Sequence, residues 1–163
     1  MTLSRIFALT LAVTMATVSG LAFAQHQGHA PAPRGSAPPA GDTREFVGFP
    51  TELRDHTLAN MRDHLLALQE IQEYLAREDY TAAAKIAEER LGMSSLALHG
   101  AHEVAKYMPP GMQDAGGGMH RAASRFAIEA QNSAVTGEIK PTIAALATVT
   151  AQCVGCHAGY RLK

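Results

Sequence analysis

Apolar residues recur along most of the chain at the three- and four-residue steps of an amphipathic helix. Leu58, Met61, Leu65, Leu68 and Leu75 fall at heptad-like spacings, with Arg62, Asp63, Glu70 and Glu73 among the other faces. This predicts a first helix from about Pro50 to Arg77, and Pro50 suits its first turn, where the amide it lacks would have no helical partner. A second helix is predicted from Asp79, an N-cap residue type, through Ile86, Leu91, Leu96 and Val104, until Pro109-Pro110 ends it. Gly92 and Gly100 are its weak points. The stretch "MPPGMQDAGGG" reads as a loop leading to a third helix, "MHRAASRFAIEAQNSA", in which Met119, Ala123, Phe126, Ala127 and Ala130 share one face and Gly137 is the stop. The fourth begins near Pro141 and carries Ile143, Leu146, Val149, Cys153, His157 and Tyr160. No β-alternation of useful length interrupts the pattern, and the connections suit antiparallel neighbours. The expected fold is all-α, an antiparallel up-down-up-down four-helix bundle.

Two other segments depart from the helical pattern. The opening "MTLSRIFALTLAVTMATVSGLAFAQ" has one basic residue, Arg5, an apolar run from Ile6 to Val18 and a small-x-small site at Ala22-Phe23-Ala24. It reads as a signal peptide over residues 1–24, too short to span a bilayer, so the mature protein is expected to be exported to the periplasm without a membrane anchor. Residues 25–45, "QHQGHAPAPRGSAPPAGDTRE", hold four prolines and three glycines and almost no large apolar residue. They read as a disordered tether, in which His26 and His29 could bind copper or nickel, ahead of a single domain over 46–163.

Charge narrows the partners only slightly. The chain carries 14 basic and 15 acidic side chains, which argues against nucleic acid, whose binders carry a basic patch or stripe. In an exported compartment the two cysteines, Cys153 and Cys156, would be oxidised or otherwise engaged.

They lie in "QCVGCHAGYRLK", within one helical turn of each other and beside His157. A disulfide between them is awkward inside a regular helix. A thioredoxin-like pair expects a βαβ context, and a structural zinc site expects a second ligand pair. The C-x-x-C-H spacing meets the needs of covalent haem attachment, in which two thiols add to two vinyl groups and the adjoining imidazole reaches the iron.

On "CVGCHAGYR", within an all-helical exported chain, the sequence resembles the class II c-type cytochromes, the family that includes cytochrome c prime, whose motif is likewise C-terminal. The resemblance covers roughly Phe46 to Lys163 and implies one haem c, with Cys153 and Cys156 as thioether anchors and His157 as the proximal axial ligand. Tyr160 and Arg161 match the motif's ending and would pack against the haem or its propionates. "NMRDHLLAL" looks like the segment that supplies a methionine ligand in low-spin relatives, which makes Met61 the distal axial candidate.

Antiparallel packing would bring His56, Met61, His64, His99, His102, Met108, Met112, Met119 and His120 to the same pole. His64 is an alternative distal ligand, giving bis-histidine ligation and a lower potential, but beside Arg62 and Asp63 it reads rather as a surface histidine. His99 and His102 at i, i+3 could share a metal, joined by His120 or His56, and the methionines read as packing around an irregular hydrophobic object. The expected function is one-electron transfer between redox partner proteins, without enzymatic activity, with a homodimer plausible from the resemblance. Two alternatives stay open: a five-coordinate gas-binding haem protein with Leu58 or Leu65 over the iron, and a copper-handling protein.

Overall fold

A computed structural model describes residues 41–162, so the signal-peptide reading and all of the tether up to residue 40, with His26 and His29, lie outside the described residues. Within them the chain is mostly helical: α1 (Thr51–Ala76), α2 (Tyr80–Arg90), α3 (Ala101–Ala105), α4 (Pro110–Thr136) and α5 (Lys140–Gly159). Two three-residue strands, β1 (Glu45–Val47) and β2 (Tyr160–Leu162), were not anticipated by the periodicity. They pair in parallel, Glu45 opposite Tyr160, Phe46 opposite Arg161 and Val47 opposite Leu162.

Local chemistry sets the helix ends. The carbonyl of Pro50 accepts from the Arg54 amide at 2.9 Å to open α1. Glu78 turns the chain at φ 58°, and the Asp79 carboxylate caps α2 by accepting from the Ala82 amide at 3.0 Å. Pro110 fills the first position of α4, and Gly137, at φ 74°, ends it in the left-handed conformation that suits glycine. Across that turn the Ser133 and Thr142 hydroxyls meet at 2.7 Å, and Thr142 donates to the Glu129 carbonyl at 2.9 Å.

Two predicted boundaries shift. The second helix does not continue to the prolines: it stops at Arg90, and a 3₁₀ turn over Met93–Ser95 and the short α3 follow. The side chain of Glu88 folds back beside Gly92, where an added Cβ would meet it at 2.4 Å, and bonds the Ser94 amide at 3.1 Å. Gly100 sits at φ 60°. Conversely, the glycines at 116–118 belong to α4. A Cβ on Gly118 would stand 2.6 Å from the Gln152 amide oxygen of α5, so at that position the missing side chain leaves room for α5, against a helix cost of roughly 1 kcal/mol per glycine.

Helices α1 and α2, α2 and α4, and α4 and α5 pack on one another. The core is built on small residues, with Ala83, Ala87 and Ala123 fully buried around Phe126 and Ile71. Arg90 clamps α1 to α2 by bonding Glu70 at 2.6 Å and the Asp63 carboxylate. The buried face of α1 runs through Thr57, His64, Ala67, Ile71 and Leu75. It is rotated from the leucine series: Leu58, Met61 and Leu68 are half-buried, whereas Leu65 is 68% exposed. No helix among the described residues is long and apolar enough to cross a membrane.

Candidate functional site

Helix α5 carries the whole Cys153–His157 segment in regular α-helix, so Cys153 and His157 share a face one turn apart and Cys156 lies beside them. The cysteines are free of each other. Burial pushes both thiols above their ordinary range, and Cys153 adds to the effect on Cys156, which keeps them protonated at neutral pH and unlike an activated thiolate pair. Cys153 packs against the core and directs its thiol toward the Val149 carbonyl at 3.6 Å.

Next to this segment lies a cavity of about 570 Å³, within the roughly 300–1,000 Å³ of cofactor and ligand sites. Cys156 and His157 line it from α5, Leu58, Met61 and His64 from α1, and Met112, Gly116 and Gly117 from α4. Tyr160, Arg161 and Leu162 close the end formed by β2. Of the residues singled out in the sequence, Cys156, His157, Tyr160, Arg161 and Met61 therefore share one cavity, and Cys153 stands one helical turn behind. His157 makes no hydrogen bond or ion pair with the described residues, which leaves its imidazole available to a ligand. Leu65 does not line the cavity, so of the two leucines considered only Leu58 can lie over a bound group.

The β1–β2 pair fixes the cavity's end. Val47 is buried, Arg161 lies over the Phe46 ring at 5.5 Å, and its guanidinium reaches Asp42 at 3.6 Å. Asp42 and Glu45, read from composition as the end of the tether, thus lie against β2. Arg44 bonds the Asp42 carboxylate at 2.7 Å and holds it well below the usual carboxylate range.

A second feature was only partly legible in the sequence. His64, His99 and His120 are each less than one-tenth exposed and gather in the cavity wall. Ring centres of His64 and His99 are 4.6 Å apart, those of His99 and His120 are 5.4 Å apart, and those of His64 and His120 are 6.2 Å apart. The expectation of a surface His64 is thus corrected: the buried face of α1 follows Thr57, His64 and Ile71 at seven-residue steps, the first two being polar residues that a search for leucines passes over. The proposed His99/His102 pair separates, since the His102 side chain is 89% exposed. His56 stays outside the cluster but donates to the His99 carbonyl at 3.1 Å, as does the Asn60 amide at 3.1 Å.

Desolvation lowers the pKa of all three buried histidines, with His64 falling to about 4, where His99 and His120 add to the effect. At neutral pH the cluster is uncharged. For His120 the carbonyls of Leu91 and Gly92 oppose the shift. No group of three or more His, Cys, Asp or Glu side chains among the described residues is already arranged around one metal position.

The donor set fits haem c in kind: two thiols and an imidazole within about one helical turn, an apolar cavity lined by Cys156 and His157 of that turn, and a thioether, Met61, lining the cavity from another helix. Comparison with protein families, with curated proteins and with solved structures returned no match for the chain.

Proposed function

We propose that the protein is an exported mono-haem cytochrome of the class II c type that carries single electrons between redox partner proteins in the periplasm. The observation that carries this reading is the shared cavity in which Cys156 and His157 of α5 meet Met61 of α1. The mostly helical fold agrees with it: in this reading α1, α2, α4 and α5 would be the four elements of an antiparallel bundle, with short links at residues 77–79 and 137–139 and α3 in the one long connection.

In this reading Cys153 and Cys156 would hold haem c through thioethers, and His157 and Met61 would supply an imidazole and a thioether to its iron. Tyr160 and Arg161 would pack beside the group or its propionates. Haem bound there supplies an Fe(III)/Fe(II) couple. The apolar wall around it excludes water, which limits the reorganisation that accompanies a change of charge. A thioether at the sixth position raises the potential.

The test is expression with haem-attachment machinery in a periplasm, followed by denaturing electrophoresis with haem staining and an alkaline pyridine spectrum. One covalent haem per chain is expected. A chain that matures without covalent haem sinks the proposal. Leu58 lines the same cavity one turn before Met61, and this favours a second reading as a five-coordinate gas-binding protein should Met61 not ligate. Copper handling through the histidines and methionines is a lesser reading.

A further inference from the structure

We propose that His64, His99 and His120 form a binding site for one imidazole-preferring divalent metal ion of the zinc and copper class, separate from the Cys153–His157 segment. The three ligands come from α1, from the connection after the 3₁₀ turn and from α4, so the ion would tie three segments together.

Two observations make the cluster a ligand set. The first is spacing. The Nε2 atoms of His64 and His99 are 3.4 Å apart, and two nitrogens on a tetrahedral ion at about 2.1 Å stand roughly 3.4 Å from each other. Three imidazoles on such an ion keep their ring centres about 5 Å apart; here the separations are 4.6, 5.4 and 6.2 Å. The cluster is an open form of that arrangement, widest between His64 and His120.

The second is the state of the ring nitrogens. Nδ1 of His120 faces the Leu91 carbonyl at 2.8 Å, the Gly92 carbonyl at 3.2 Å and the Ser95 hydroxyl oxygen at 3.4 Å, whose own proton goes to the Gly92 carbonyl at 2.7 Å, so Nδ1 carries the proton and Nε2 keeps its lone pair. Nδ1 of His99, 3.3 Å from that hydroxyl oxygen, therefore donates to it, and Nε2 of His99 is again unprotonated, accepting from Nε2 of His64 at 3.4 Å, a proton that a bound ion would displace. Imidazoles held through one nitrogen by backbone or side-chain acceptors, with the other nitrogen free, are how proteins prepare histidine for a metal. The nearest carboxylate, Asp63, is taken by Arg90, which leaves imidazole as the donor type. Three protein ligands leave a fourth position for water or for a group in the cavity that all three rings line.

This inference does not rest on the haem reading, and one titration separates the two. Exported haem-bearing protein with His26→Gln and His29→Gln, which removes the tether imidazoles, is titrated with Zn(II) and, as a control, Mg(II) by calorimetry. One Zn(II) per chain and no Mg(II) are expected, with His99→Gln and His120→Gln each weakening binding by roughly a hundredfold or more and Ser95→Ala by about tenfold. Zinc X-ray absorption on protein unmutated in the cluster should count three imidazoles, which keeps the test valid if a variant fails to fold. Absence of Zn(II) binding, binding that survives both histidine substitutions, or sulfur in the zinc shell overturns the site. None of these results bears on covalent haem, and a chain without haem that still binds Zn(II) through the cluster would sink the cytochrome reading alone.

Discussion

The hydroxyl of Tyr160 lies against Gly111, so near that a Cβ on Gly111 would stand 2.3 Å from it. The first residue of β2 is thereby seated on the first turn of α4, at the mouth of the cavity. Glycine to alanine in a helix ordinarily stabilises by about 0.5–1 kcal/mol. Here Gly111→Ala should be neutral or destabilising, because Tyr160 must move. Removing the hydroxyl with Tyr160→Phe should restore much of the lost benefit, and urea unfolding of the two single variants and the double variant measures the coupling. A fully additive cycle would show that the contact carries no energy.

Acid should unfold the domain through its buried histidines. The unfolded chain binds protons near the ordinary pKa of 6.5, whereas folded His64 resists them until about pH 4. Between those values the unfolded state holds more protons, so this contribution is complete above pH 6.5 and is lost as pH falls toward 4. A shift of that size corresponds to roughly 3 kcal/mol for His64, and His99 and His120 act in the same direction. Urea midpoints measured from pH 7.5 to 4.5 should fall accordingly, and His64→Gln should flatten the slope. A midpoint independent of pH would show that the histidines are solvated.

In Cys153→Ala with Cys156→Ala, haem should become extractable by acidified organic solvent, since His157 and packing alone would hold it. Each single substitution should leave one thioether and an intermediate shift of the alkaline pyridine band. Haem that remains covalently bound in the double variant would remove both thiols from their assigned role.

With Met61 as distal ligand the ferric protein should be low-spin and show a sulfur-to-iron charge-transfer band. Met61→Ala should abolish the band, lower the potential and let carbon monoxide bind the ferrous form. A high-spin ferric spectrum at neutral pH in the unsubstituted protein would transfer the functional reading to gas binding, with Leu58 over the iron.

The long helices and the C-x-x-C-H turn were legible because both are written in short-range spacing: α1 was expected from Pro50 to Arg77 and spans Thr51–Ala76. What escaped depended on contacts between distant residues. The burial of His64 follows from the rotation of α1, which is set by packing of small residues such as Ala67 against α2 and not by the more conspicuous Leu65. Glycines at 116–118 looked like a loop because intrinsic propensity is a weak prior that tertiary packing overrides. A three-residue strand such as Glu45–Val47 has too few positions to display alternation, and its partner lies at the far end of the domain.

That pairing also orders events in time. Residues 45 and 160 are joined across nearly the whole domain, and contacts between residues so distant along the chain are costly to close and form late. Helices α4 and α5, linked by a three-residue turn, can meet long before. During maturation the turn bearing Cys153 and Cys156 would thus be folded while the mouth beside it still stands ajar, an interval in which a bulky group could be threaded in and fastened. In the haem reading the small sheet would act as a latch set after loading, and pulse-labelled hydrogen exchange should find the amides of β1 and β2 protected after those of α4.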